Sequence, residues 1–244
     1  MKIAKYTEVR STITALTGLK IGGTKETAGI GETDNPIIRH PITRLPYIPG
    51  SSLKGKLCSL LELKYSQNTQ NSGNPCDCAE CDICALFGSG IKRNKTAESL
   101  LQKLGPTRLV FRDALLNVES RDELKELPGA FVEVKSEIAM NRKTGATKTG
   151  SLRQQERVPE GTSFDFDFTL RLFDEDLKKD GNNPSRAEIY LDLLAEGFEM
   201  LEKDYLGGCG TRGYGRVEIS SCEDEPRPLH EYLRDPQIRK QILS

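Results

Sequence analysis

Apolar residues recur along this chain with two distinct periods. Over Ser163–Phe173 they fall at every second position, Phe164, Phe166, Phe168, Leu170 and Leu172, which predicts a strand with one buried face. Lys5–Leu16, frequent in Thr, Val and Ile and free of helix breakers before Gly18, predicts another strand, and Leu109–Leu116 a third. Helical spacing appears in Leu53, Leu57, Leu60 and Leu61, a helix that Ser51 or Ser52 is placed to cap. It appears again in Tyr190, Leu191, Leu194, Phe198 and Leu201, an amphipathic helix over Ser185–Asp204. A glycine-rich turn, Gly207–Gly215, then leads into a last strand around Val217.

Strand, helix, glycine turn, strand is half of a ferredoxin-like split βαβ unit, and the first strand with the Ser51 helix supplies the other half. The expected class is α+β, with one domain over residues 1–244. Two segments lie outside this pattern. Gly18–Pro49 holds five glycines and four prolines, too many for a regular element, and so reads as a long loop of the kind that is usually functional or disordered. Lys135–Arg157 is polar and basic with few apolar residues, so it cannot bury a face and reads as a projecting hairpin. No internal repeat or low-complexity tract interrupts the chain.

Composition changes the picture in one respect. Aromatics make up 6% of the 244 residues and tryptophan is absent, which argues against stacking RNA bases on an aromatic sheet. The formal net charge of -1 argues against nucleic acid until its distribution is considered. Arg39–Lys56 carries Arg39, Arg44, Lys54 and Lys56 and no acid. Lys135–Arg157 sets six basic residues against Glu137 and Glu156, whereas Asp174–Asp204 sets ten acidic residues against four basic ones. A neutral total therefore accommodates a basic groove on one face and an acidic surface on another. Neither a signal peptide nor a membrane-spanning run is expected, which points to the cytoplasm and to no membrane partner. Seven cysteines in such a compartment suggest metal ligation or free thiols rather than disulfides.

Three motifs carry candidate chemistry. In Ile48-Pro49-Gly50-Ser51-Ser52-Leu53-Lys54-Gly55-Lys56, a helix start offers backbone N–H groups, two hydroxyls and two lysines to an anion. It is not a Walker loop, because no Gly-Lys-Ser/Thr closes it. In Gly207–Arg216, five glycines in nine residues let backbone approach a ligand, and Arg212 and Arg216 can grip phosphates. In Cys76-x-Cys78-x-x-Cys81-x-x-Cys84, four thiols within nine residues can wrap a tetrahedral structural Zn²⁺. The Cys76-x-Cys78 step is tighter than a usual knuckle, so a distant group could replace one ligand. An iron–sulfur cluster lacks supporting context, and the plain alternative is a set of free thiols. Cys209 and Cys222 are expected to be unliganded.

The combination of GLKIGG, IGETDNPIIRHPITRLPYIPGSSLKGK, ALFGS, RLVFRDA, LRQQERVPEGTSFDFDF and GGCGTRGYGRV resembles the RAMP superfamily of CRISPR RNA-binding proteins. Within it, the order of motifs from about Ala15 to Val217 is similar to the backbone subunits of type III-A (Csm) effector complexes. The resemblance implies a modified ferredoxin-like, RNA-recognition-type domain with inserted subdomains: a zinc-binding lobe about 66–105 and a thumb arm about 133–160. It implies that copies of the chain polymerise along a guide crRNA beside the complex's other subunits, each thumb wedging into the guide–target duplex. It implies endoribonuclease cleavage of the target RNA with a divalent cation, Mg²⁺ or Mn²⁺. The catalytic aspartate of the family falls on Asp34, with Glu32 a second choice. Guide contacts fall on Lys20, Ser51, Ser52, Lys54, Lys56, Arg142, Gly210, Arg212, Gly213 and Tyr214.

The family's other acidic positions fall on Asp113, Glu133, Glu137 and Glu156, for which salt bridges to the basic arm are an equal explanation. Two residues depart from the family pattern. Lys20 stands where relatives often carry histidine, which preserves a phosphate contact but not general acid work, and Cys58 replaces a usual arginine. A catalytically silent RNA-binding scaffold is the competing reading, distinguished by whether Asp34 is needed. A free-standing zinc-finger regulator is disfavoured, because no basic recognition helix follows the cysteines.

Overall fold

The computed structural model describes residues 1–23, 36–65, 73–90, 95–126 and 131–244 (residues 95–97 by their backbone). Its main sheet is built around two long antiparallel strands, β1 (Ile3–Ala15) and β7 (Ser163–Phe173), paired from Ile3↔Phe173 to Thr14↔Ser163. The alternation that predicts them also sets which face is buried. Val9, Ile13 and Ala15 of β1 and Phe164, Phe166, Phe168, Leu170 and Leu172 of β7 point into the core. Tyr6, Glu8, Arg10 and Asp165 lie exposed on the opposite face.

Two helices cover the buried face. Helix α1 (Gly50–Lys64) buries Leu53, Leu57, Leu60 and Leu61, and α5 (Arg186–Lys203) buries Tyr190, Leu191, Leu194, Phe198 and Leu201. Close contact between them runs over Gly197, where an added Cβ would stand 3.4 Å from both Leu57 and Leu61. Phe198 joins Phe111, Phe166 and Phe168 in an aromatic cluster with ring centroids 5.5 to 6.5 Å apart. Strand β8 (Val217–Ser221), which follows α5 and the glycine turn, pairs antiparallel with the end of β1.

On the other side of β7 lie β3 (Leu109–Phe111) and β4 (Ala114–Leu116), and β4 also pairs with β2 (Tyr47–Ile48). The sheet order β2-β4-β7-β1-β8 is that of a ferredoxin-like split βαβ unit, with α1 and α5 as its two crossovers. Inserted around it are α2 (Asp82–Phe87), α3 (Lys95–Leu104), α4 (Val118–Lys125) and a hairpin of β5 (Glu133–Glu137) and β6 (Arg153–Arg157). Helices α6 (Leu229–Arg234) and α7 (Pro236–Leu243) follow β8.

Three local expectations are corrected. The single strand over Leu109–Leu116 is two short strands, parted at Arg112-Asp113. Helix α1 is not capped by Ser51 or Ser52: Pro49 occupies the N-cap position without a side-chain bond, and the Gly50 N–H donates to Asp113 Oδ1 at 2.8 Å. The Gly18–Pro49 loop is not wholly irregular, because it contains β2 and the bridges Gly22↔Ile37 and Arg39↔Pro46.

Candidate nucleic-acid interface and metal centre

The glycine turn is bound tightly to the chain leaving β1. Gly208 N–H donates to Lys20 O, and Gly215 N–H to Gly18 O. Gly210 has a steric reason to lack a side chain: a Cβ there would stand 2.0 Å from the Tyr205 ring. That same ring receives Lys56 Nζ on its face, 4.0 Å from the centroid. The start of α1 and the turn carrying Arg212 therefore meet across Tyr205. Gly213, at φ 86°, has open space beside it and is free to receive a ligand closely.

Next to the turn stands the root of the β5–β6 hairpin. Tyr214 is buried, its hydroxyl donates to Glu137 Oε1 at 2.9 Å, and Lys135 and Arg157 lie over its ring, 4.7 and 5.0 Å from the centroid. Burial, then the bond to Glu137, pushes its phenol up to about 12. Its ring is thus closed to a base and serves to anchor the arm. Arg212 pairs with Glu137 at 3.3 Å and remains about half exposed. A cavity of about 460 Å³ opens here, lined by Lys135, Glu137, Ile138, Ala139, Ser151, Arg153 and Arg212. Along the arm Arg142 is exposed, as are the apolar side chains Val134, Ile138, Met140 and Leu152.

Strand β6 and the following Val158 also hold Leu19–Lys20 and Ile37–Arg39 of the Gly18–Pro49 loop. Lys20 Nζ donates to Gln155 Oε1, and Leu19 exchanges backbone bonds with Val158. Buried Glu156 accepts the Ile37 N–H at 3.1 Å and Arg39 at 3.2 Å. Gly23 N–H donates to Pro36 O at 3.1 Å. Asp34 and Glu32 lie outside the described residues, but both flanks of their segment are fixed at the root of the arm. Glu133 pairs with Arg157. Of the four further acids singled out in the sequence, three thus form ion pairs and Asp113 caps α1.

At the start of α1, Ser51 is exposed and Ser52 half-buried. Lys54 Nζ lies against Leu109 O at 3.4 Å, and burial lowers its pKa. Lys56 pairs with Asp204 at 2.7 Å. Both lysines are thus held against the body of the domain rather than extended into solvent. No spacing rule could have shown this, since the Lys56 partner lies 148 residues away.

The four clustered cysteines converge. Their sulfurs all lie within 4.8 Å of one another, with Cys76–Cys78 at 3.4 Å, Cys78–Cys84 at 3.7 Å and Cys76–Cys81 at 4.0 Å. Zinc about 2.3 Å from each of four sulfurs sets them about 3.8 Å apart in a tetrahedron, close to this arrangement. Backbone N–H groups meet the sulfurs as well: Cys81 N donates to Cys78 Sγ and Cys84 N to Cys81 Sγ. Hydrogen bonding from Cys84 lowers the Cys81 thiol, while burial raises Cys76 and the bond to Cys81 raises Cys84, so the cluster favours its first negative charge on Cys81. Despite the tight Cys76-x-Cys78 step, all four sulfurs are in place, and the donor set suits a thiophilic ion such as zinc. Sequence reasoning passed over Glu62, a buried acid on α1 that meets this cluster.

Comparison with known proteins places this architecture. The RAMP superfamily profile matches residues 12–218. The chain is 40% identical, over 247 aligned positions, to the CRISPR system Cms endoribonuclease Csm3 of Methanothermobacter thermautotrophicus, covering 95% of this chain and 91% of that protein. To the protein of that name from Streptococcus thermophilus it is 38% identical, covering 85% and 84%. Among solved structures, a chain of type III-B Cmr-beta in its apo state superposes with a TM-score of 0.57 at 16% identity, covering 89% of this chain and 98% of that one. A chain of the same complex bound to cognate target RNA gives 0.54 at 14% identity, covering 90% and 98%. At such identities the superpositions speak for the fold. Matched in profile and in sequence over most of its length, the chain belongs to the RAMP superfamily and, within it, to the family of the Csm3 endoribonucleases.

Proposed function

We propose that this protein is the backbone subunit of a type III-A CRISPR effector complex, binding guide crRNA in several copies and cutting the complementary target RNA. The observation that carries the reading is identity of 36 to 40% over most of the chain to five proteins named as Csm3 endoribonucleases. Their names favour a nuclease over a silent scaffold.

The guide backbone runs past Lys20, the start of α1 (Ser51, Ser52, Lys54, Lys56) and the turn at Gly210, Arg212 and Gly213, with Tyr214 setting the arm beside it. Supporting this, Tyr205 joins α1 to the turn, and the cavity at the arm's root is lined by more cations than acids. Contacts of this kind grip phosphates without reading bases, as a subunit serving arbitrary guides requires. The arm, about 133–160, is the thumb. Its exposed Ile138, Met140 and Leu152 suit insertion between nucleotides, with Arg142 on a neighbouring phosphate.

Asp34 is the catalytic residue. Cleavage by the ribose 2′-hydroxyl needs that oxygen in line with the scissile phosphate, a geometry a regular duplex resists and a displaced nucleotide permits. Asp34 acts there either by taking the hydroxyl proton or by holding a divalent cation. Such a cation, Mg²⁺ or Mn²⁺, supplies charge neutralisation at the phosphate. Cys76, Cys78, Cys81 and Cys84 hold a structural Zn²⁺ in the inserted lobe about 66–105. Partners are guide RNA, target RNA, further copies of the chain and the other subunits of the complex. No described helix is long and apolar enough to cross a membrane, and the cytoplasm is the proposed place of action.

The test is a complex reconstituted on a defined guide and given complementary RNA with a divalent cation. Wild type is expected to produce evenly spaced cuts, and Asp34→Ala none, with target binding intact. Regular cuts from the fully substituted complex would overturn the assignment of Asp34. Binding without cuts from wild type would restore the scaffold reading.

A further inference from the structure

Glu62 is a buried acid used neither by the RNA contacts nor by the metal ligand set. It lies near the C-terminal end of α1, 4% exposed, with no cation paired to it among the described residues. A carboxylate in such a place is costly unless hydrogen-bond donors meet it. Two donors do, both at Oε1: the backbone N–H of Cys76 at 2.9 Å and the Cys58 thiol at 3.5 Å. Cys58 and Glu62 stand four residues apart on one face of the helix, so the contact is built from a rigid element.

The placement of Cys76 explains why an outside anchor is needed. Cys78, Cys81 and Cys84 share a run of turns that orients its own sulfurs, with the amides of Glu80, Cys81 and Cys84 directed at Sγ atoms within the run. Cys76 precedes that run. Its carbonyl accepts from Gly90 N at 2.8 Å, and its amide is held from α1 by Glu62. With both sides of its backbone fixed, Cys76 presents Sγ to Cys78 and Cys81.

We propose that Glu62 is a positioning residue of the metal centre, an acceptor on α1 that fixes Cys76 as the fourth ligand. The proposal rests on the reading that the four cysteines bind zinc. Partners that orient metal ligands contribute typically 10- to 100-fold in metal affinity when lost, and the same range is expected here.

The experiment uses the purified full chain loaded with zinc and challenged with excess chelator, with release followed by a metallochromic dye. Cobalt substitution reports the geometry of the thiolate site through its charge-transfer and ligand-field bands. Glu62→Asp keeps the charge but is too short to reach the Cys76 amide, and is expected to release zinc about 10 to 100 times faster and to alter the cobalt bands. Glu62→Gln keeps a carbonyl oxygen at the right reach and is expected to hold zinc nearly as wild type does. Leu60→Ala, which loosens the same helix but keeps the acceptor of the Cys76 amide, separates a general loss of stability from the positioning role and should leave release unchanged. Release from Glu62→Asp as slow as from wild type, or from Glu62→Gln or Leu60→Ala as fast as from Glu62→Asp, would overturn the proposal while leaving the zinc reading standing. A wild-type chain that takes up no zinc would overturn both.

Discussion

Asp113 is the residue whose replacement tests most directly how the first crossover helix is held. Its Oδ1 accepts the Gly50 N–H at 2.8 Å, across 63 residues of chain, and Pro49 offers no side chain to do so instead. The corner bearing Asp113 also presses on the helix start, since a Cβ on Gly50 would stand 2.7 Å from Arg112 O. Removing a helix N-cap acceptor costs about 0.5–2 kcal/mol. Asp113 is exposed, which favours the lower half of that range, about 1 kcal/mol. For a chain of this size each kcal/mol lowers the melting temperature by about 2–4 °C. Asp113→Ala is therefore expected to melt about 2–4 °C below wild type. Asp113→Asn keeps an acceptor and loses only the favourable charge beside the helix dipole, about 0.3–1 kcal/mol, so it should fall in between. Differential scanning calorimetry of zinc-loaded protein at neutral pH measures both. If Asp113→Ala melts with wild type, or Asp113→Asn melts below Asp113→Ala, Asp113 does not hold the helix start by accepting the Gly50 N–H.

Three further outcomes are expected. Asp176→Ala should destabilise by about 3–5 kcal/mol in denaturant unfolding, because it strands Arg108 in the core without its bidentate partner at 3.1 and 3.2 Å; an unchanged midpoint would refute this. Glu188, held at about 2 chiefly by Lys179 and by the capping box with Ser185, stabilises α5 above the ordinary carboxylate pKa of 4.5. That stabilisation is lost as pH falls through about 2, so the melting gap between wild type and Glu188→Gln should narrow from pH 4.5 downward, and a pH-independent gap would exclude it. Neutralising Lys54, Lys56 and Arg212 together should weaken guide binding for all sequences alike and flatten its salt dependence by roughly one unit of slope per lost phosphate contact. Unchanged affinity and slope in a filter-binding titration would put the groove elsewhere.

How far the sequence can be read depends on how far apart the interacting residues are. The alternation in β7 and the spacing in α5 identify the central strand and a crossover helix because each buries a face of its own. The break between β3 and β4 is hidden, since a lone Asp113 with no glycine or proline beside it is only a weak turn signal inside an apolar run. What parts the strands is the docking of their corner on α1, a contact made far along the chain. Helix α7 is different. Asp235 caps it through the Gln237 and Ile238 amides, and Pro236 follows at its first turn, a signature that is wholly local in the sequence.

Charge shows the same division more sharply. The basic run Arg39–Lys56 and the acidic run Asp174–Asp204 suggest separate faces, yet the fold brings them partly together, pairing Lys56 with Asp204. Much of the rest of the acidic run is spent internally. Asp176 is buried against Arg108, Glu196 meets Lys64, and Asp192 and Glu199 take Arg239 and Arg234 from the C-terminal helices. The arm behaves similarly at its root, where Glu133 and Glu137 occupy Arg157 and Arg212. A run of like charge in sequence thus reports the field near the chain only where no distant segment folds onto it. In this protein that condition is met at the outer part of the arm, where Arg142 and Lys143 stand exposed among exposed neighbours. At the root Arg157 and Arg212 already have a carboxylate close by, and a phosphate arriving at either must compete with it. Guide RNA accordingly gains less there from bare charge than from the shape of the cavity, and the salt dependence of binding should fall short of what the count of basic residues suggests.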